Sequence, residues 1–381
     1  MLRLGHPWVI ADRYTARWPK APCGGLADLT DEAGAPLGTA LLDPGARVVA
    51  RLLDTGRIVP DAAWIGRRLQ RALTLRNWLE LGETNAWRLV NGEGDGLPGL
   101  TVDRYGDWLL VQLYTPAWEP HLAALGLALQ DLLRPRGIYL KGRPMETRSK
   151  GATVKGELLA GREAPRPLVV TEHGLRYEVD LAGELHTGLF LDQRANRQAF
   201  RRLAAGQRVL NLFAYTGAFS LAAAAGGAVQ VTSVDAAPRY LERARENFRL
   251  NGINPGDHEF LAGDCFAELE KLARAGRQFD LVLMDPPSFS TVRSSRFTTS
   301  GGTADLVQRA LALLPPGGLL ITSSNHQKVD LPEYVKELRR GALAAGRELR
   351  VIETAGQGGD FPWPVTFPEG RYLKYVVSVA G

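Results

Sequence analysis

The sequence predicts an α/β fold: a doubly wound parallel sheet from Leu168 onward, preceded by a small β-barrel and a small α+β unit. Three observations predict it. From Val209 to Ala380, strand-length apolar runs alternate with amphipathic helical stretches. Residues 1 to 70 break instead into short apolar stretches at Gly, Asp and Pro. Between them, two strands, a helix and a further strand lead into a basic tract rich in Gly and Pro.

The first segment, 1–70, includes GGLADLTDEAGAPLGTALLDPGARVVARLLD, whose turn residues recur at the short spacing of a small barrel. Residues 62–81 carry apolar side chains at three- and four-residue steps with Arg between them, which predicts a helix. The second segment, 71–167, then holds Asn85–Leu100, dense in Gly, Asp and Pro. Two strands meeting at Tyr105–Gly106–Asp107, a helix over 118–133 and a strand at Ile138–Leu140 follow. Lys141–Pro167 reads as a linker or loop. The third segment, 168–381, opens on a hairpin. Strands are then expected at Val209–Ala214, Val231–Asp235, Glu259–Gly263, Asp280–Met284, Gly318–Ser323, Leu349–Thr354 and Tyr375–Ala380. Alternating β and α elements give a parallel sheet covered on both faces.

Length and composition bound the function. At 381 residues, two or three domains are expected. Apolar residues make up 45% and charged residues 23%, as in a soluble globular protein. No apolar run approaches the roughly 20 residues of a membrane span, and no secretory signal is visible at MLRLGHPWVI. The two cysteines, Cys23 and Cys265, cannot make a disulfide framework or a zinc site, so no metal is expected and a reducing cytoplasm fits. A formal charge of +5, carried mostly by Arg, permits a polyanionic partner. A GC-rich genome would give the same Arg bias.

In a doubly wound sheet the ligand lies beyond the carboxyl ends of the strands. The first such end runs Asn211, Leu212, Phe213, Ala214, Tyr215, Thr216, Gly217: an apolar strand, then a polar turn whose Gly allows close approach. This is not GxGxxG, which argues against a dinucleotide. The second ends at Asp235, placed for a ribose hydroxyl pair. The third ends at Asp264, Cys265 and Phe266, suited to an adenine amine and ring. The fourth ends in Asp285–Pro286–Pro287–Ser288–Phe289. Each is weak alone, because an Asp at a strand end is often only a helix N-cap. The ordered set is specific.

These motifs resemble the class I methyltransferases. In particular they are similar to the bacterial large-subunit ribosomal RNA methyltransferases with an N-terminal PUA domain, typically cytosine-C5 enzymes of 23S rRNA. HPWV at 6–9, RLVNGEGDGLPGLTVDRYG at 88–106, TGLFLDQRANR at 187–197, LNLFAYTGAFS at 210–220, DPPSF at 285–289 and PEGRYLK at 368–374 carry the resemblance. It implies a Rossmann-like methyltransferase domain behind a PUA-like barrel and a central domain. It implies S-adenosyl-L-methionine as cofactor and RNA, 23S rRNA first, as partner, and it is compatible with a homodimer. Asp192, Gln193 and Arg197 are expected near the cofactor, while Arg194 could equally be a surface residue.

One residue departs from that pattern. Carbon 5 of cytosine is a weak nucleophile, and a cysteine thiolate adding to carbon 6 is the usual remedy. The resemblance places that cysteine after the fifth strand. Here the stretch is Leu320–Ile321–Thr322–Ser323–Ser324–Asn325–His326, with Asn325 at the expected position, or Ser324 after a shift of one. Cys265 is expected to be a buried structural thiol. Ser324–Asn325 resembles the Ser-Asn stretch of guanine-N7 enzymes, and DPPSF the DPPY-type motif of amino methyltransferases. Neither target needs a covalent intermediate. Asp285, Phe289 and Asn325 are thus the candidate catalytic residues, with Phe289 stacking on the base. His326 is a base, an RNA contact or an ordinary core or surface histidine. The rival readings are a small-molecule methyltransferase and a catalytically silent RNA-binding protein.

Overall fold

A computed structural model describes residues 2–142, 155–183, 186–287, 290–292, 295–297 and 302–381. The chain forms two compact units. One comprises Met1–Glu172, Val179–Thr187 and Gly359–Gly370; the other comprises His173–Glu178, Gly188–Gly358 and Arg371–Gly381.

In the first unit, β1 (Trp8–Ile10), β2 (Leu26–Thr30), β3 (Pro36–Leu42) and β4 (Val48–Asp54) make an antiparallel sheet. Its order, β1-β4-β3-β2, leaves β1 and β2 as edges. Helix α1 (Ala62–Arg76) starts where the Asp61 carboxylate accepts the Trp64 amide at 2.7 Å. It buries Trp64, Ile65, Leu69 and Ala72. The expected boundary at residue 70 falls inside this helix. Its apolar face lies in one core with Leu53 of β4 and with Leu89, Val102, Val111, Leu125 and Ile138, so α1 packs on both sides of that boundary.

That core covers a second sheet of β5 (Ala86–Asn91), β6 (Leu100–Tyr105), β7 (Trp108–Leu113), β8 (Gly137–Gly142) and β9 (Glu157–Gly161), hydrogen-bonded in that order. Helix α2 (Leu122–Leu133) is the crossover that makes β7 and β8 parallel. Two strands differ from the sequence reading. β5 occupies the first part of the Asn85–Leu100 stretch, where Ala86, Trp87, Leu89 and Val90 are buried ahead of the glycines. β9 lies inside the expected linker; it is a mostly exposed edge strand, so it carries no apolar alternation to betray it.

A two-stranded ribbon of β10 (Leu168–Glu172) and β11 (Leu175–Val179) follows. The second unit then runs α3 (Arg194–Leu203), β12 (Arg208–Leu212), α4 (Ala218–Ala225), β13 (Gln230–Asp235), α5 (Pro238–Leu250), β14 (Glu259–Ala262), α6 (Cys265–Arg274) and β15 (Leu281–Met284). It continues through the short ribbon β16 (Ser290–Val292) and β17 (Ser295–Phe297) to α7 (Gly302–Leu311), β18 (Leu319–Ser324), α8 (Leu331–Ala344), β19 (Leu349–Ala355) and β20 (Lys374–Ala380).

The sheet order is β14-β13-β12-β15-β18-β20-β19. All seven expected strands are present, but the sheet is not wholly parallel: β20 inserts between β18 and β19 and is antiparallel to both. Period-two alternation explains the apolar runs. Leu210, Leu212, Val282, Met284 and Leu320 pack with α6, α7 and α8. Their neighbours Val209, Leu281, Leu283 and Ile321 pack with Phe200 and Phe219 from α3 and α4. A strand buried on both faces reads as continuously apolar. Among the described residues, no helix is long and apolar enough to cross a membrane.

Candidate active site

The parallel strands β14, β13, β12, β15 and β18 end on one edge of the second unit, and β20, running the other way, begins there. Every element of the candidate site belongs to this unit.

After β12 the backbone turns through three left-handed positions in five residues: Phe213 (φ 59°), Tyr215 (φ 51°) and Gly217 (φ 72°). The first two are costly for residues with a Cβ, roughly 1–2 kcal/mol each, and such strain clusters at ligand-binding turns. The turn is held from all sides. The Ala214 amide donates to Val234 O at 2.9 Å, Thr216 Oγ1 donates to Gly188 O, and Asn247 Nδ2 donates to Thr216 O at 2.9 Å. A Cβ on Gly217 would lie 2.6 Å from that of Ala244, so the α4 N-terminus stays bare.

Asp235, ending β13, ties that turn to its own. Its carboxylate accepts the Tyr215 amide at 2.8 Å and the Ala237 amide at 2.9 Å. Burial pushes its pKa up, and the two amides oppose the shift. Two accepted bonds leave lone pairs for further donors. The Tyr215 ring lies 5.4 Å from Phe190 and 4.4 Å from Tyr240. Asp264 caps α6, accepting the Phe266 and Ala267 amides at 3.1 and 3.2 Å. Cys265 is buried in the core with Leu210 and Leu269, and burial drives its thiol pKa well up.

Asp285, ending β15, accepts from Gln193 Nε2 at 3.2 Å. The same amide donates to Ser323 Oγ at 2.8 Å, and Gln193 Oε1 accepts from Asn196 Nδ2 at 2.6 Å. The Gln193 amide is therefore fixed in orientation. Burial, with Asp192 adding repulsion, pushes the Asp285 carboxyl up to about 6. Tyr372 donates its hydroxyl to Asp192 at 2.8 Å. Arg197 is buried and donates to Phe190 O at 2.7 Å. Arg194 is buried too, which removes the surface reading for it.

Within β18 Ser323 is buried, and Asn325, just past the strand's end, is exposed. Tyr334 donates to Ser323 O at 3.0 Å. Lys374 donates to His326 O at 2.6 Å and is register-adjacent, opposite Ser324. His326 is held below the usual histidine pKa by burial and by Lys374 and Lys328.

The structure thus gathers Gln193, Arg197, Phe213, Tyr215, Thr216, Gly217, Asp235, Asp264, Asp285 and Asn325 along one sheet edge. Asn211 is placed differently: its amide donates to Ser220 Oγ at 2.8 Å, which also accepts from Ser233, in a buried polar cluster between strand and helix. Phe289 lies outside the described residues. Asn196, Ser323, Tyr334, Tyr372 and Lys374 join the site unforeseen. Tyr372 and Lys374 stand in the PEGRYLK stretch, which signalled kinship but no role. Among the described residues no cluster of His, Cys, Asp or Glu could hold a metal. A strained turn with a bare helix N-terminus, a half-buried carboxylate with lone pairs to spare and a third acid that caps α6 fit an adenosine-bearing cofactor.

The profile of the S-adenosylmethionine-dependent methyltransferases matches residues 87–363, and that of a PUA-like domain matches residues 1–55. The ribosomal RNA large subunit methyltransferase I of Klebsiella pneumoniae is 38% identical over 97% of this chain and 93% of its own. That of Escherichia coli is 36% identical over 97% and 94%. Among solved structures, the methyltransferase SMU.776 complexed with SAH superposes with a TM-score of 0.90 at 28% identity, covering 99% of this chain and 96% of that one. The chain therefore belongs to the S-adenosylmethionine-dependent methyltransferases, in the family of the ribosomal RNA large subunit methyltransferases I.

Proposed function

We propose that this chain methylates a base of large-subunit ribosomal RNA in the cytoplasm, at an atom that carries its own lone pair. Full-length kinship to the Klebsiella and Escherichia enzymes supports the substrate. One observation supports the target atom: neither cysteine is placed as a nucleophile. Cys265 is in the core with its thiol pKa raised by burial. Cys23 belongs to the first unit and is exposed; partial desolvation and Asp43 push its thiol up from the ordinary value. A thiol so disfavoured as thiolate is a poor nucleophile.

S-adenosylmethionine supplies, when bound, an electrophilic methyl group. The chain's own residues bind and orient. Asp235 offers its free lone pairs to a ribose diol, and the Phe213–Gly217 turn brings bare backbone close. Asp264 keeps the α6 N-terminus in place beside an adenine. Asp285, steadied by Gln193, accepts a hydrogen bond from the base, and Asn325 meets a base edge from the turn after β18. Positioning of this kind suffices for a ring nitrogen or an exocyclic amine, because no covalent activation is needed. Residues 1–70 hold RNA without taking part in the chemistry.

Nucleoside mass spectrometry of large-subunit rRNA incubated with enzyme and cofactor tests both parts. A methylated purine or exocyclic amine is expected. A 5-methylcytosine product would overturn the target atom alone, and unmethylated rRNA would overturn the substrate.

A further inference from the structure

We infer that the outward face of α1 is an RNA-docking strip, formed by Arg67 and Arg71 with Trp78 at its end; the inference rests on the proposed rRNA substrate. The strip lies in residues 56–86, between the two stretches that the PUA-like and methyltransferase profiles match.

Residues 67, 71, 74 and 78 fall within about 60° of one another at 3.6 residues per turn. The helical path extends to the last of them, since Asn77 N donates to Leu73 O and Trp78 N to Leu75 O. Arg67 and Arg71 are exposed, and Trp78 is 87% exposed. Beside them is a groove of about 400 Å³ lined by Leu52, Leu53, Asp54, Thr55, Arg68 and Arg71.

The charge on this face is uncompensated. α1 contains four arginines and no acid. Two are committed: Arg68 pairs with Asp54 at 2.7 Å, and Arg76 pairs with Asp95. Arg67 and Arg71 make no hydrogen bond or ion pair among the described residues. Several other helical cations of this chain pair with acids three residues away: Arg245 with Glu242, Arg249 with Glu246, Lys336 with Glu333, Arg340 with Glu337. Free guanidinium groups beside an exposed indole match a sugar–phosphate backbone with an unstacked base, which takes forked hydrogen bonds and aromatic stacking together. An acidic protein would use the charges but leave the indole without a planar partner.

Fluorescence anisotropy with a large-subunit rRNA fragment, titrated across salt, tests the strip with Arg67→Gln/Arg71→Gln and Trp78→Ala. Calorimetry with S-adenosylmethionine and thermal melts serve as folding controls. The double variant should bind less tightly, with a plot of log K against log salt shallower by roughly two. Trp78→Ala should weaken binding about fivefold or more at an unchanged slope. If the wild-type protein methylates rRNA while both variants keep its affinity and slope, the strip is refuted and the proposed function stands. If polyglutamate competes as well as RNA, the strip is a general anion surface and the inference fails. If the wild-type protein neither binds nor methylates rRNA, the proposed function falls and the strip with it.

Discussion

Lys374 holds the backbone of His326: its Nζ donates to that carbonyl at 2.6 Å and to the carbonyl of Tyr372 at 2.8 Å. Burial lowers its pKa to about 8, so the ammonium is kept at a cost and rewards the two carbonyls it serves. Replacing it by Met leaves two part-buried acceptors without this donor, at up to about 1–3 kcal/mol for each. Lys374→Met should loosen the Ser324–His326 turn, lowering kcat at least tenfold while S-adenosylmethionine affinity stays within about twofold. Amide exchange at 325–328 and calorimetry check the two halves. Equal loss of cofactor binding would show that Lys374 supports the whole sheet edge.

Asp285 sets a pH limit. Its folded-state pKa of about 6 lies above the ordinary 3.8, because burial disfavours the anion. Between those values the folded state holds a proton that the unfolded state has released. This group's penalty on stability is thus present above about pH 6 and is relieved as pH falls toward 3.8. Activity should run the opposite way. Below about pH 6 the neutral carboxyl is a weaker acceptor, and kcat/KM should fall about tenfold per pH unit. Asp285→Asn should be slow at all pH values and lack that limb.

Asp235→Ala should weaken S-adenosylmethionine binding roughly ten- to hundredfold, the worth of a charge-assisted hydrogen bond of about 1.5–3 kcal/mol. The structure adds a second effect: the Tyr215 and Ala237 amides lose their acceptor. Asp235→Asn, which keeps one acceptor oxygen, should fall between wild type and Ala in calorimetry.

Gly217→Ala places a Cβ at φ 72° and 2.6 Å from the Ala244 Cβ. It should cost about 2 kcal/mol or more in thermal stability and lower cofactor affinity in proportion. A variant melting with wild type would mean that the turn relaxes without strain.

RNA carrying 5-fluorocytosine should form no covalent adduct with the enzyme on a denaturing gel, and Cys23→Ala and Cys265→Ala should retain methyl transfer. A trapped band, or loss of activity in Cys265→Ala with cofactor binding preserved, would return cytosine carbon 5 as the target.

The sheet of the second unit was legible because its strands are buried on both faces, so LVLM at 281–284 announces itself without a partner. β9 was hidden for the opposite reason: its residues are mostly exposed, and its pairing with β8 is a backbone matter. The strand-end acids were visible as residue types. Whether a polar residue faces a ligand or a neighbour was not, as Asn211 bonded to Ser220 shows. The tethers of the site join residues far apart in sequence, such as Tyr372 and Asp192, 180 positions away. No periodicity records such a pair.

The insertion of β20 between β18 and β19 fixes an order of assembly. β19 pairs with β20 alone, so a chain made vectorially has residues 349–355 in hand with no sheet to join until 374–380 emerges. Gly359–Gly370 meanwhile belongs to the first unit. Both units thus await the same late stretch of translation, and each passes through a nascent stage with an open seam that chaperones or proteases can reach. No single cut of the gene separates them. A fragment ending near residue 358 would carry the cofactor turn yet lack Tyr372 and Lys374, along with the strand that closes the sheet.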